Sequence, residues 1–518
     1  MISSHIVPFL ADHPSYGQGL NLLGYKSICE TLFTKLLPGL NGVTSRIRYY
    51  SFYCWLIDEF NSFGVPISET SYREYIRKSE YLLALIHVPM NNGTVETGIP
   101  GIDYAAKAYM SADDEISLID GIYNEKGGTE HTYWKNKGGI LTQYYLASLS
   151  DDLGLLEAVD SKNRLRNISK EGDFINGLNL AEAFRKSIGE DAAKHFLQIV
   201  KKGRVLKSEL NELAESFYMK GFTNAAGEQE LLLELLLQTD VPRSDDELDL
   251  RKQTISHFLE FATDATLTTD DSQNFAFHMY ERYVDEGQKD LCTIGWYLYC
   301  LNENWQYCLT EIFVEVLDSL KEDYNCCWVP IHKLARSFAE GMISVWDFKG
   351  ETLGEFYQAI KDGEIDSTDA DDRFSICADA FFDIAYRVYE NEDKKLKDDE
   401  YAKVFRIAGN PGTFYKFMEE FLSSLDMNLE DFICKAIEDK IIYKHYAESM
   451  RKWSYGGGVA THKFMLENGC VRYLDSSYSS HTAPRLRTLK GFLVDLGLIG
   501  WSGGLTDFGK GTLELIRA

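Results

Sequence analysis

Apolar residues recur at helical spacing along most of the chain. Between residues 25 and 37, Ile28, Leu32, Phe33, Leu36 and Leu37 share one helical face. The Pro38-Gly39-Leu40-Asn41-Gly42 run breaks that helix. A second helix is predicted from about Ser45 to Phe60, crowded with Tyr49, Tyr50, Phe52, Tyr53, Trp55, Leu56 and Phe60. A helix that is apolar on nearly every side belongs in the centre of a core. Ser71 and Glu74 have the spacing of a capping box, which places the start of a third helix at Ser71.

One layout is read twice. Ile140, Leu141, Tyr144, Tyr145, Ala147 and Leu149 predict a helix that stops at Leu153-Gly154-Leu155-Leu156. A polar stretch with Leu165 and Ile168 then suits a short strand or wing, and a helix follows from Leu178 to Ile188. At the C-terminus, Leu486, Leu489, Phe492, Leu493 and Leu496 form a helix from Pro484 that closes at Gly497-Leu498-Ile499. Gly500 to Gly504 turn the chain, Leu505-Thr506 restart it, and a last helix covers Gly511 to Ile516. Gly154 and Gly497 supply left-handed helix ends. Before the second copy, Lys463 to Leu466 and Cys470 to Leu474 flank Asn468-Gly469, a favoured hairpin turn.

The middle reads as helical, with a helix through Ile437, Ile441 and His445. Residues 245–249 and 362–372 read as acidic loops and 390–400 as a mixed-charge connector. A boundary is set at Trp453 to Gly458. The predicted fold is therefore mainly α, a multi-helical body with small β-hairpins or wings and a C-terminal winged-helix-like domain. The divisions are an N-terminal helical region at 1–137, a winged-helix-like unit at 138–190, a helical middle at 191–452 and the C-terminal domain at 453–518.

Composition narrows the compartment and the partners. The chain has 518 residues, 45% of them apolar, and 10 Pro, which suits several domains with ample core. No apolar run is long enough to span a membrane, and Met1-Ile2-Ser3-Ser4-His5 lacks the basic start of a secretory signal. The 10 cysteines show no C-x-x-C pair and lie in helical text, as at Cys292, Cys300 and Cys308, so they read as reduced and buried. A cytoplasmic protein without membrane attachment is expected. Its net charge of -27 repels nucleic acid, so any such contact needs a local basic patch.

Catalytic and metal motifs reduce to ordinary structure. Gly504, Gly509 and Lys510 approach a phosphate loop, but Gly511 stands where Ser or Thr would hold magnesium, so a turn and helix start are expected. Gly456-Gly457-Gly458 reads as a hinge. Adjacent Cys326-Cys327 with His332 do not form a tetrahedral site, and residues 245–249 lack the Gly and Glu of a calcium loop. Cys54, inside the aromatic helix, reads as an inert buried thiol. No Gly-x-Ser-x-Gly elbow occurs. No catalytic residue, metal or cofactor is assigned.

The basic patch is sought from residue 445 onward, where nine Lys and Arg face six acids, +3 in a chain of -27. His481, Arg485, Arg487, Lys490, Arg472 and Lys463 are the candidate nucleic-acid contacts, with Arg485, Arg487 and Lys490 on the polar side of the Pro484 helix. Protein docking, with Arg485 or Arg487 paired to acids, is the equal alternative. Arg46 and Arg48 beside Tyr49 and Tyr50 suggest single-strand binding, but ion pairing in a core layer fits so apolar a helix better.

Two stretches carry a resemblance: Leu22-Leu23-Gly24 through LLPGLNGVTSRIRYYSFYCWLI, and HTAPRLRTLKGFLVDLGLIGWSGGLTDFGKG near the C-terminus. They resemble bacterial defence-island proteins encoded beside the ATPases, helicases or nucleases of anti-phage systems. The likeness covers about 15–60 and 440–515 and carries no functional residues. It implies an accessory subunit. The reading is a non-catalytic adaptor or sensor that binds an operon-encoded partner, with DNA as a further ligand. The rivals are a nuclease whose carboxylates converge only in the fold, and a transcription regulator.

Overall fold

The computed structural model describes residues 21–517 apart from 64–67, 91–97, 123–133, 135, 160–165, 172–173, 223–225, 239–247, 265–270, 288–289, 369, 394–398 and 456–459. The fold is mainly α, with sheets of two or three short strands. No described helix is long and apolar enough to cross a membrane. The chain divides into two compact units, each built from two separated stretches. The first unit takes Met1–Thr34 and Met279–Thr482, and the second takes Lys35–His278 and Ala483–Ala518. This division cuts across the linear one, because the hairpin and the two last helices of 453–518 fall in different units.

The second unit is organised by helix Arg48–Ser62. Its residues from Arg48 to Ile57 are all buried, as an all-round apolar sequence requires. Phe52 and Trp55 pack against Phe184 and Phe196, and Phe196 stacks on Phe217 with ring centroids 4.5 Å apart. Helix Gly177–Ile188 supplies the main partner surface. Two arginines buried here each meet a carboxylate. Arg48 Nε and Nη2 both lie 3.1 Å from the Glu228 carboxylate, which also accepts from Ser51 Oγ at 2.5 Å. Arg46 meets Asp495 at 2.7 Å, with both side chains buried. Burial pushes Asp495 up to about 6 even beside that guanidinium. The two arginines are thus core ion pairs.

Helix Glu69–Met90 begins two residues before the expected start, and Ser68 Oγ, not Ser71, caps it by accepting from Ser71 N–H at 3.1 Å. Along it, buried Glu80 accepts from Tyr53 Oη at 3.0 Å and from the N–H groups of Ile140 and Leu141 at 2.9 and 2.8 Å. Burial raises Glu80 to about 7, against the pull of those donors. A Cβ on Gly139, which has φ 71°, would sit 2.4 Å from that carboxylate, so only glycine fits.

From there the expected helix, turn, strand and helix order follows. The helix runs as π-turns Leu141–Tyr145 and Ser148–Asp152. Gly154 is left-handed at φ 63°, strands Leu156–Ala158 and Arg166–Ile168 pair antiparallel, and helix Gly177–Ile188 closes the order. Leu165 lies outside the described residues. The C-terminal copy is equally direct. Helix Leu486–Asp495 ends at left-handed Gly497, Ile499 bridges Leu505, and helix Asp507–Arg517 follows. That last helix starts four residues earlier than expected because Thr506 Oγ1 caps it, accepting from Gly509 N–H at 3.0 Å. Gly509 is needed for packing: a Cβ there would meet the Leu498 carbonyl oxygen at 2.2 Å. The apparent phosphate loop is a helix start, as the sequence indicated.

The first unit is threaded by helix Leu291–Glu322, 32 residues long and about 48 Å by the α-helical rise. Trp296, Tyr297, Trp305 and Phe313 bury along it, and helix Arg373–Asn391 lies against it. Cys292 and Cys308 are buried as expected, whereas Cys326 and Cys327 are exposed in the turn beyond the helix. Asn325 and Cys326 of that turn have positive φ, and with Cys300, Cys434 and Cys470 half-buried the cysteines depart from the all-buried reading. The predicted helix through Ile437, Ile441 and His445 runs unbroken from Leu429 to Tyr455 through a π-turn at Ile437–Ile442. The Gly456-Gly457-Gly458 hinge, residues 245–247, residues 394–398 of the 390–400 connector and Met1 to His5 lie outside the described residues.

Removing one member of the Arg48–Glu228 pair leaves a buried charge alone, which costs about 3–5 kcal/mol. Glu228→Gln is therefore expected to lower urea stability by that amount, and Arg48→Met with Glu228→Leu to recover most of it. A loss below about 1 kcal/mol for the single substitution would show that the pair carries no such burden.

Candidate functional site: the hairpin sheet

Strands Phe464–Glu467 and Cys470–Tyr473 form the predicted hairpin, with Asn468 and Gly469 both at positive φ in its two-residue turn. A third strand, Val329–Pro330, pairs antiparallel with Cys470–Tyr473 on its other edge, so Cys470–Tyr473 is the central strand of the three. This partner, about 140 residues upstream in a two-residue strand, carries no periodic signal. Helix Ile331–Val345 leaves directly from it, and helix Leu291–Glu322 precedes it.

Val471 and Phe464 face the core, while Met465, directly opposite Arg472 in register, faces out. Arg472 is exposed, and its guanidinium lies 6.0 Å from the ring centre of Trp328, which is 39% exposed. Met465 is 44% exposed. Trp328, Arg472 and Met465 thus cover one outward sheet face.

Behind the hairpin, His445 fixes its first strand. Its Nδ1 donates to the Leu22 carbonyl at 2.9 Å, and its Nε2 accepts from Lys463 N–H at 3.0 Å. Both bonds need a neutral ring, and burial holds its pKa down to about 3.

The six sequence candidates divide between the units. Lys463 is buried, with Nζ 2.5 Å from Asp475, so it cannot reach a phosphate. Lys463 lies just before the first strand, and its burial there is invisible to a count of charges. Arg472 is exposed as described. His481 stacks on Tyr307, centroids 4.0 Å apart and nearly parallel, with Nδ1 3.2 Å from buried Glu303. Glu303 also accepts from Thr482 N–H at 2.7 Å and from Gln306 at 3.0 Å. Burial works to raise Glu303, but the bonds from His481 and Thr482 outweigh it and keep the group below its ordinary range. His481 is therefore a positioned side chain at the edge of the core.

In the second unit Arg485 sits at the N-terminal end of helix Leu486–Asp495 with φ 64°, and its Nη1 lies 3.3 Å from the Leu37 carbonyl oxygen. Arg487 is exposed and Lys490 half-buried. Sequence reading missed Trp328, Met465 and Glu303. A tryptophan directly before a two-residue strand carries no periodic signal, and Glu303 lies inside an apolar helix where carboxylates are usually surface residues.

No protein-family model, curated protein or solved structure matches the chain.

The neutral state of His445 makes the first unit sensitive to acid. Its folded pKa lies below the unfolded value of 6.5, so its contribution is complete above 6.5 and is lost as pH falls toward about 3. His445→Gln keeps a donor and an acceptor but does not titrate. Thermal unfolding followed from pH 7 to pH 4 is expected to decline less steeply in this variant. Equal slopes would show that the ring carries no titration penalty.

Proposed function

We propose that the protein is a non-catalytic adaptor that holds a partner protein on the outward face of the Trp328–Arg472–Met465 sheet, within a bacterial anti-phage defence assembly. The observation that carries this is the side-chain set itself. Trp, Arg and Met are the residues enriched where proteins dock, and Trp and Arg dominate binding energy at such surfaces. Here they stand together, exposed, on a rigid three-stranded support. The defence setting rests on the resemblance of the two end segments, and the partner it implies is an ATPase, helicase or nuclease subunit.

The order of elements supports reading this part as a winged helix. Helix Leu291–Glu322, strand Val329–Pro330, helix Ile331–Val345, the helix ending at Tyr455 and the Phe464–Tyr473 hairpin follow one another with the sheet order of that fold. Residues 346–428 are then an insertion between its second and third helices. In this reading the Asn468-Gly469 turn is the wing tip. Nucleic-acid contact is the weaker alternative, because Lys463 is paired internally and, of the six candidates, Arg472 and Arg487 are the exposed cations.

Co-expressed with the products of neighbouring genes, the chain is expected to copurify with one of them. Trp328→Ala and Arg472→Ala should each weaken that complex by about 2 kcal/mol or more with thermal unfolding unchanged. Salt-sensitive retention of duplex DNA abolished by Arg487→Glu would move the reading to nucleic acid. Metal-dependent cleavage of plasmid by the purified chain would replace it with the nuclease.

A further inference from the structure

A cleft of about 510 Å³ opens in the second unit between helix Glu69–Met90 and helix Glu190–Lys202, beside the end of helix Arg48–Ser62. Its size falls within the range of small-molecule sites, about 300–1,000 Å³. Phe63 and Tyr75 meet edge to face at 5.9 Å and 90°, forming an aromatic corner, and Leu197 and Val200 supply the opposite wall. Tyr75 turns its polar end away from the cleft's needs: its Oη donates to the Leu56 carbonyl at 3.2 Å. Phe63 is 47% exposed and lines the cleft.

The charged groups of the lining are unbalanced in sign. Lys78 Nζ is held 2.5 Å from Glu74, one turn earlier on the same helix. Lys201 faces the cleft from the other helix, is exposed, and has no carboxylate within ion-pair distance among the described residues. The cleft therefore offers an apolar interior and one uncompensated positive charge, within a chain of net charge -27.

We infer that this cleft binds a free amphiphilic monocarboxylate, an alkyl chain in the aromatic corner and one carboxylate on Lys201. The interior rejects a wholly polar anion, since apolar walls give it nothing in exchange for its hydration. A cationic amphiphile meets Lys201 with like charge. A dianion would need a second unpaired cation, and Glu74 occupies Lys78. This inference concerns a different surface from the docking face and stands independently of the adaptor reading.

The test is calorimetric titration of the full chain with decanoate below its micelle concentration, with butyrate, decanol and decylamine alongside. Saturable one-to-one binding of decanoate is expected, with butyrate and decylamine failing to bind and decanol binding more weakly. Lys201→Glu, at an exposed site that does not threaten folding, should weaken decanoate about fivefold or more. Leu197→Trp, which fills the cleft, should abolish binding. No saturable decanoate binding, equal binding of decylamine, or affinity unchanged in both variants would overturn the assignment. Capture of the protein by phosphatidylglycerol vesicles through Lys201, in place of the free acid, would also overturn it.

Discussion

Two buried guanidinium–carboxylate contacts hold the second unit in register. Arg46 and Arg48 enter the core at the start of one helix and end on Asp495 and Glu228, residues separated from them by 449 and 180 positions. Removing ions from water is expensive, and the expense is recovered only when each charge has its opposite in place. Such a pair therefore tolerates one arrangement of the surrounding helices. The aromatic layer of Phe52, Trp55, Phe184 and Phe196 provides the larger share of burial, but apolar contacts alone would accept several rotations of the helix. The arginines select among them.

Much of the helical content was legible because it rests on short-range signals. The core helix after Arg48, the left-handed glycines at 154 and 497 and the Asn468-Gly469 turn all follow from neighbours within a few residues. The helix starts that shifted did so through caps three and five residues upstream of the expected starts, Ser68 for Ser71 and Thr506 for Gly511. What the sequence does not carry is which segment pairs with which. Val329–Pro330 is too short to show alternation, so its place at the edge of the hairpin sheet came only from the structure.

The candidate site shows the same limit. A count of cations treats Lys463 and Arg472 alike, yet Lys463 is buried on Asp475 just before the first strand begins, while Arg472 is exposed on the second. Glu303 was invisible for the opposite reason: a carboxylate among tryptophans and tyrosines looks misplaced until Thr482 and His481 are brought to it. Net charge speaks to long-range repulsion, and pairing geometry decides which individual groups remain available.

The interleaving of the two units bears on how the chain is made. The first unit needs strand Cys470–Tyr473 before Val329–Pro330 has a partner, and the second needs helix Leu486–Asp495 before Arg46 has its counter-ion. Neither can close while the ribosome still holds those late segments. Long stretches of helix must wait with apolar faces uncovered during synthesis, the circumstance in which nascent chains recruit chaperones and in which a premature stop releases an aggregation-prone product.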